Sequence, residues 1–256
     1  MELHRIKRET DYVPFIPGLV LLNIDEIDES GTGRCFVFIK EADAQNLYIS
    51  KPGQLNMNSP LGESIYMVAS NENGPKDWLE IGTWNGLGST ACILNAFTKR
   101  NQLEVRLLSL ELDPVMFGAA EKNLQNHPAL SCVTFIKNKL TSSLKTEFPS
   151  IDSFSESEKL MEHFRLHFDR ERGLYQAATG YIPSFAPEAV ILDGGEYSGY
   201  FDWVHLDKSR LMWIFLDDIN TYKNKRVLDE LLVNPEWICM HISDSKNGYA
   251  VFSRKN

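Results

Sequence analysis

The sequence predicts an α/β fold: a doubly wound, mostly parallel sheet with an antiparallel C-terminal strand, a small N-terminal cap and a helical insertion. Three observations point there. From Asp77 onward, short continuous apolar runs alternate with amphipathic segments of helical period, the pattern of a parallel sheet covered on both faces. Four of those runs, WLEIG, SLELD, VILDGG and FLDDIN, stop in acids or glycines where a strand would end. The last two β-like runs are separated only by DSKN and read as a hairpin-like pair.

Taken in order, LVLLNIDEID, RCFVFIKE and NLYIS read as short strands separated by polar turns such as ESGTG. Residues 1–58 are expected to form a cap, or the dimerisation arm of a homo-oligomer, and residues 59–256 the main domain. Ser59 can cap a helix in SPLGESIYMVASNENG, Pro60 suits its first turn, and the Asn71–Gly74 turn closes it. DWLEIG is a strand, STACILNAFTKR an amphipathic helix, VRLLSLELD a strand, and PVMFGAAEKNLQNH a helix opened by Pro114. CVTFIKN, EAVILDGG and LMWIFLDDIN are further strands, the last followed by the helix NKRVLDELLVN. EWICMHIS and GYAVFSRKN then pair, adding an antiparallel edge strand. Residues 141–187 are too long for a simple connection. Leu160, Phe164 and Phe168 stand there at helical spacing, so an inserted helix is expected over the ligand-bearing edge as a lid or substrate wall.

Composition narrows the partners. With 43% hydrophobic and 24% charged residues, the 256-residue chain can bury a sizeable core. A net charge of −9, with Lys223–Lys225–Arg226 its one compact basic run, argues against nucleic acid. The start, MELHRIKRETDYVPF, lacks a signal-like apolar region, and no apolar run reaches membrane-spanning length, so a cytoplasmic protein without membrane partners is expected. Cys35, Cys92, Cys132 and Cys239 stand far apart among apolar neighbours, reading as buried free thiols rather than zinc ligands.

The chemistry begins at WLEIGTWNGLGST. Glu80 precedes Gly82, Gly86 and Gly88, and glycines let the backbone turn sharply and a ligand approach closely. No Gly-Lys-Ser/Thr follows, so a P-loop is excluded. The G-x-x-x-G-x-G spacing behind an acid suits a cationic amine better than a pyrophosphate. Glu111, at the end of LLSLELD, is placed to accept hydrogen bonds from both hydroxyls of a ribose. An ammonium and a ribose without pyrophosphate describe S-adenosylmethionine (SAM). EIGTWNGLGST, SLELDP and VTFIKN resemble the first three signatures of class I SAM-dependent methyltransferases, whose sheet is Rossmann-like. The resemblance implies that Glu80 and the loop through Gly82, Thr83, Trp84, Gly86, Gly88 and Ser89 hold the methionine end. It implies also that Glu111 and Leu112 meet the ribose, that Asn138, Lys139 and Leu140 flank adenine, and that Asp193 borders the cofactor.

Asp193 in VILDGG and Asp217–Asp218 in FLDDIN end strands that lie side by side in that topology, about 4.8 Å apart. Three carboxylates so placed repel unless a cation or proton intervenes, and Mg²⁺ prefers such oxygen ligands. The pattern resembles the metal-dependent O-methyltransferases, which include catechol O-methyltransferase and sugar-modifying enzymes. It implies a divalent ion held by Asp193, Asp217 and Asp218. The plainer alternative is that Asp217 caps the following segment and Asp218 or Asn220 makes an Asx-turn. In those relatives a Lys or His commonly stands three residues after the first Asp, where this chain has Glu196. Glu196 is thus a candidate base, with Lys223 a rival that is better described as an exposed lysine at a helix start. His163, His167 and Glu171 fall one turn apart and read as a solvated stripe; Tyr197, Tyr200 and Trp203 suit either ligand stacking or helix packing. The expected activity is methyl transfer from SAM to a hydroxyl of a small polar molecule such as a sugar. A NAD-dependent oxidoreductase and a non-catalytic relative are the alternatives.

Overall fold

A computed structural model describes residues 19–23, 37–40, 44, 46, 49, 53–100, 104–142, 148–154 and 164–255. Strands β1 (Leu19–Asn23) and β2 (Val37–Lys40) pair antiparallel in a two-stranded sheet of their own. NLYIS forms no strand at its described positions, for Asn46 is helical and Ile49 lies in a turn. The N-terminal run, ESGTG, Cys35, Leu160 and His163 lie outside the described residues.

Helix α1 (Pro60–Ser70) starts as its cap predicts, with the Ser59 hydroxyl accepting from Gly62 N at 3.2 Å. Its buried Leu61, Ile65 and Ala69 recur every fourth residue. β3 (Asp77–Ile81), α2 (Ser89–Phe97), β4 (Arg106–Leu110), α3 (Pro114–Leu124) and β5 (Val133–Ile136) follow in the expected alternation. Asp113 caps α3 through Val115 N at 2.9 Å, with Pro114 at the first position, where its missing N–H costs nothing. Beyond the insertion helix α4 (Phe164–Ala177) come β6 (Ala189–Leu192), a short α5 (Gly199–His205) and β7 (Trp213–Asp217). α6 (Tyr222–Val233), β8 (Trp237–Ser243) and β9 (Tyr249–Arg254) complete the chain.

Seven strands make one sheet in the order β5-β4-β3-β6-β7-β9-β8. β3 pairs parallel with both β4 and β6, so the chain winds outward on one side and then returns on the other. That reversal leaves a crevice beyond the tips of β3 and β6, the general ligand position in open α/β sheets. One expectation needs correction. The antiparallel strand is β9, inserted between β7 and β8, whereas the edge strand β8 runs parallel to the rest. Apolar Tyr249–Phe252 suits that interior place, whereas Met240 and Ile242 of β8 remain exposed.

Two apolar layers sandwich the sheet. Trp78, Leu107, Ile191 and Phe215 face α1 and α2, whereas Leu79, Leu108, Val190 and Leu216 face α6. A third, aromatic cluster of Phe154, Phe164, Phe168 and Tyr197 ties the insertion to the main domain. Cys92 and Cys132 are buried free thiols, but Cys239 is only half-buried because β8 is the edge. Among the described residues no helix is long and apolar enough to cross a membrane.

Candidate active site

The crevice is a cleft of about 1260 Å³, bordered by the tips of β3, β4, β6 and β7 and walled by α4. Its floor is made where β3 breaks into the glycine loop. Gly82 has φ +95°, and a Cβ there would lie 2.0 Å from the Asp193 carbonyl oxygen, so no other residue fits between the two strand tips. Thr83, Trp84, Gly88 and Ser89 border the cleft with it, Trp84 in a left-handed conformation at φ 48°. Gly86 does not. It turns the loop at φ +78° against α3, where a Cβ would meet the Leu124 side chain at 2.7 Å.

Glu80 also lies away from the cleft. Strand alternation turns it to the face of Trp78, toward the start of α2, and it is fully buried. Its carboxylate accepts hydrogen bonds from Ser89 Oγ, from Thr90 Oγ1 at 2.7 Å and from Ser109 Oγ. Ser109 is its partner across the β3–β4 register, and Thr83 Oγ1 joins the same cluster. Glu80 therefore braces the loop from behind instead of meeting a ligand's amine. Burial lifts its carboxyl from 4.5 to about 7 against the pull of the three hydroxyls. Its neutral form then contributes stability that is whole below about 4.5 and lost as pH rises through about 7. Glu80→Gln is expected to flatten the fall of Tm between about pH 5 and 8, gaining most over wild type at the upper end. Identical pH slopes in scanning calorimetry would refute this.

Glu111 occupies the place the sequence implied. It follows β4, borders the cleft, and accepts from Trp84 N at 2.6 Å and Asp113 N at 2.8 Å. Backbone N–H groups of Trp84, Leu112 and Asp113 surround it, and a carboxylate offers roughly four acceptor sites, so capacity remains for a donor from the cleft. Burial, then the charge of Asp113, raises its carboxyl to about 8. Such a group is costly to bury without the donors it lacks. Leu112 and Asn138 also border the cleft, Asn138 held by Gly180 N at 2.8 Å and Thr179 Oγ1 at 3.2 Å. Leu140, by contrast, is 1% exposed and packs in the apolar layer, so it contacts no cleft ligand.

The late acids converge as expected. Asp193, Asp217 and Asp218 each place one carboxylate oxygen within 4.8 Å of the others. The N-cap of α6 is Thr221, not Asp217, which leaves the aspartates for other work. Asp218 adopts φ 52°, a left-handed conformation that aspartate tolerates better than most residues. Lys223 overturns its description as an exposed lysine: it is 8% exposed and donates to Asp193 Oδ1 at 2.9 Å and Asp218 Oδ2 at 2.7 Å. Burial alone would lower its pKa, yet the two carboxylates hold it above the usual lysine value. A lysine so bound is no base near neutral pH. One ammonium does not balance three acids: burial and then Asp193 and Asp218 raise Asp217 to about 7, and burial raises Asp193 despite Lys223.

Asn224 staples the strands that carry these acids. Its Nδ2 donates to Leu192 O at 2.8 Å and Asp217 O at 2.6 Å, tying the tips of β6 and β7. Glu196 borders the cleft beside this cluster, accepting from Thr221 Oγ1 at 3.2 Å. Burial raises its pKa, opposed by Lys223 and Thr221.

Sequence reasoning missed Glu171 as an inward group. His167 is exposed, but Glu171 turns in and accepts from Tyr197 N at 3.0 Å and Ser198 N at 2.7 Å, docking α4 on the loop after β6. Gly195 makes room for it, since a Cβ there would lie 2.1 Å from Glu171 Oε1. The glycine pair in LDGGEYS was the available signal. Of the three aromatics after Asp193, Tyr197 borders the cleft, whereas Tyr200 and Trp203 pack on α6 through Glu230 at 2.6 and 3.0 Å.

No protein-family profile and no curated protein matches the chain. Solved structures do. The O-methyltransferase TomG from Streptomyces achromogenes, involved in tomaymycin synthesis and solved with SAM, is 13% identical at a TM-score of 0.49, over 84% of this chain and 88% of that one. An O-methyltransferase from Bacillus cereus in complex with SAH is 14% identical at 0.49, over 84% and 90%. A methyltransferase from Geobacter sulfurreducens is 10% identical at 0.48, over 83% and 84%. At such identities and scores these are distant likenesses, and the chemistry has to be read from the cleft's own residues.

Proposed function

We propose that the chain is a SAM-dependent O-methyltransferase acting on a hydroxyl of a small polar molecule. One observation carries the reading. Glu111 is a buried carboxylate with spare acceptor capacity, held by backbone N–H groups over a glycine-floored cleft at the sheet's switch point. A vicinal diol such as ribose satisfies it. The cleft fits the rest of the nucleoside: Gly82 leaves the backbone bare at one end, and Asn138 and Met116 border the other. Bound there, SAM supplies an electrophilic methyl group on a sulfonium.

The chain's residues orient and deprotonate the acceptor. Glu196, whose pKa burial has raised, takes the hydroxyl proton on a carboxylate oxygen. Tyr197 and the aromatic wall of the insertion exclude water from the site. The three aspartates fit a divalent ion such as Mg²⁺, because their oxygens converge and Lys223 leaves the cluster short of positive charge. When bound, such an ion lowers the pKa of a hydroxyl beside it.

Thermal shift tests the reading. S-Adenosylhomocysteine at a hundredfold excess over its Kd should stabilise the protein by about 2.7 kcal/mol, raising Tm by roughly 5–10 °C. NAD should leave it unmoved. A shift with NAD alone would overturn the proposal, and a shift with S-adenosylhomocysteine but none with Mg²⁺ would remove the ion from it.

A further inference from the structure

The loop that carries Asp218 is gripped by a remote part of the chain. Pairing between β7 and β9 does not stop at Asp217 and Tyr249. Ile219 N donates to Gly248 O at 3.3 Å and Asn220 N to Asn247 O at 2.8 Å, so the turn 244–248 between β8 and β9 holds the chain beyond the strand end. Thr221, the N-cap of α6, takes up the other side and donates from its Oγ1 to Asp218 O at 3.0 Å. Asp218 therefore stands between two anchors: its own carbonyl is tied to the start of α6, and the next two N–H groups are tied to the turn. A left-handed aspartate such as this one, at φ 52°, persists where its surroundings over-determine it.

Gly248 is what permits the grip. It is buried at φ +78°, and a Cβ there would lie 2.6 Å from Asn220 Nδ2 and 2.7 Å from Ile219 Cγ1. Asn220 is exposed and its amide can swing away, but Ile219 is fully buried in the apolar layer facing α6. A side chain at position 248 would thus push the turn and the aspartate loop apart. Neither Asn247 nor Gly248 borders the cleft, so neither meets a ligand itself. Lys223 holds one oxygen of the Asp218 carboxylate at 2.7 Å, and the turn adds the placing of the backbone from which that carboxylate projects. Mg²⁺ demands near-octahedral oxygen geometry and tolerates little displacement of a ligand.

We propose that the turn between β8 and β9, acting through Asn247 O and Gly248, is a positioning element for Asp218 that keeps its carboxylate converged with those of Asp193 and Asp217. This rests on the reading of the three acids as a divalent-ion site. Gly248→Ala tests it, in calorimetric titrations with Mg²⁺ and, separately, with S-adenosylhomocysteine. The variant should bind Mg²⁺ at least about tenfold more weakly, the scale on which outer-shell partners support a metal site, while its affinity for S-adenosylhomocysteine changes less than about threefold. A lowered Tm with Mg²⁺ affinity intact would make the glycine merely structural and overturn the proposal, as would equal weakening of both ligands. Wild type supplies an arm that does not depend on the variant's folding: saturating Mg²⁺ should slow hydrogen exchange at the Ile219 and Asn220 amides that bind the turn. Exchange there unchanged by the bound ion would equally overturn it. A wild type that binds no Mg²⁺ would instead sink the divalent-ion reading, and this assignment with it.

Discussion

Replacing Asp217 and Asp218 together by asparagine should lower methyl transfer by about 10²–10³-fold while changing the affinity for S-adenosylhomocysteine less than about threefold. The change suits the site. Asparagine is isosteric with aspartate, and it tolerates the left-handed backbone at position 218, where φ is 52°. Asp193 and its bond to Lys223 stay in place, and Glu111 is untouched. What disappears is the negative charge of two of the three converging oxygens, and with it the site's attraction for a divalent ion. Two readouts belong together: S-adenosylhomocysteine formation across small hydroxylated acceptors, and Mg²⁺ binding by calorimetry. Full activity in the double variant in the presence of chelator would make these acids structural. Loss of both activity and cofactor binding would show that the substitution had disturbed the cleft as a whole.

Lys223→Met should be the most destabilising single change in the site. Removing one partner of a buried ion pair typically costs about 3–5 kcal/mol, because the charge left behind has no counter-ion. Here Asp193 and Asp218 would both be abandoned, in a cluster where Asp217 already titrates near 7. Tm should fall by roughly 6–20 °C. The direction of its pH dependence follows from the acids: protonation relieves their repulsion, so the deficit should shrink as pH drops below about 7. Millimolar Mg²⁺ should restore part of the loss, since a divalent ion supplies the missing charge. A deficit independent of both pH and Mg²⁺ would mean that Lys223 matters for its packing alone.

The order of strands and helices was legible because each leaves a local imprint. Ser59, Asp113 and their following prolines mark helix starts, and runs such as VILD and WIFLD are too apolar for anything but a sheet interior. The loop glycines and the acids at strand ends could be picked out for the same reason, since a strand tip is where a parallel sheet presents polar groups to a ligand.

What the sequence determined by itself was therefore the alternating architecture, the turn after Ile81 and the acids Glu111, Asp193, Glu196, Asp217 and Asp218 at the strand tips beside the cleft. Tertiary structure decided what each acid faces. Glu80 and Glu111 both end apolar strands, yet the pleat sends Glu80 into the α2 layer with three hydroxyls and leaves Glu111 at the open tip. Lys223 reads as a surface residue until α6 sets it between Asp193 and Asp218. The place of β9 inside the sheet, rather than at its edge, likewise came only from pairing between distant segments. The physical reason is common to all of these. Periodicity and capping act over a few residues, whereas burial, charge pairing and side-chain direction depend on which remote strands and helices come to lie together.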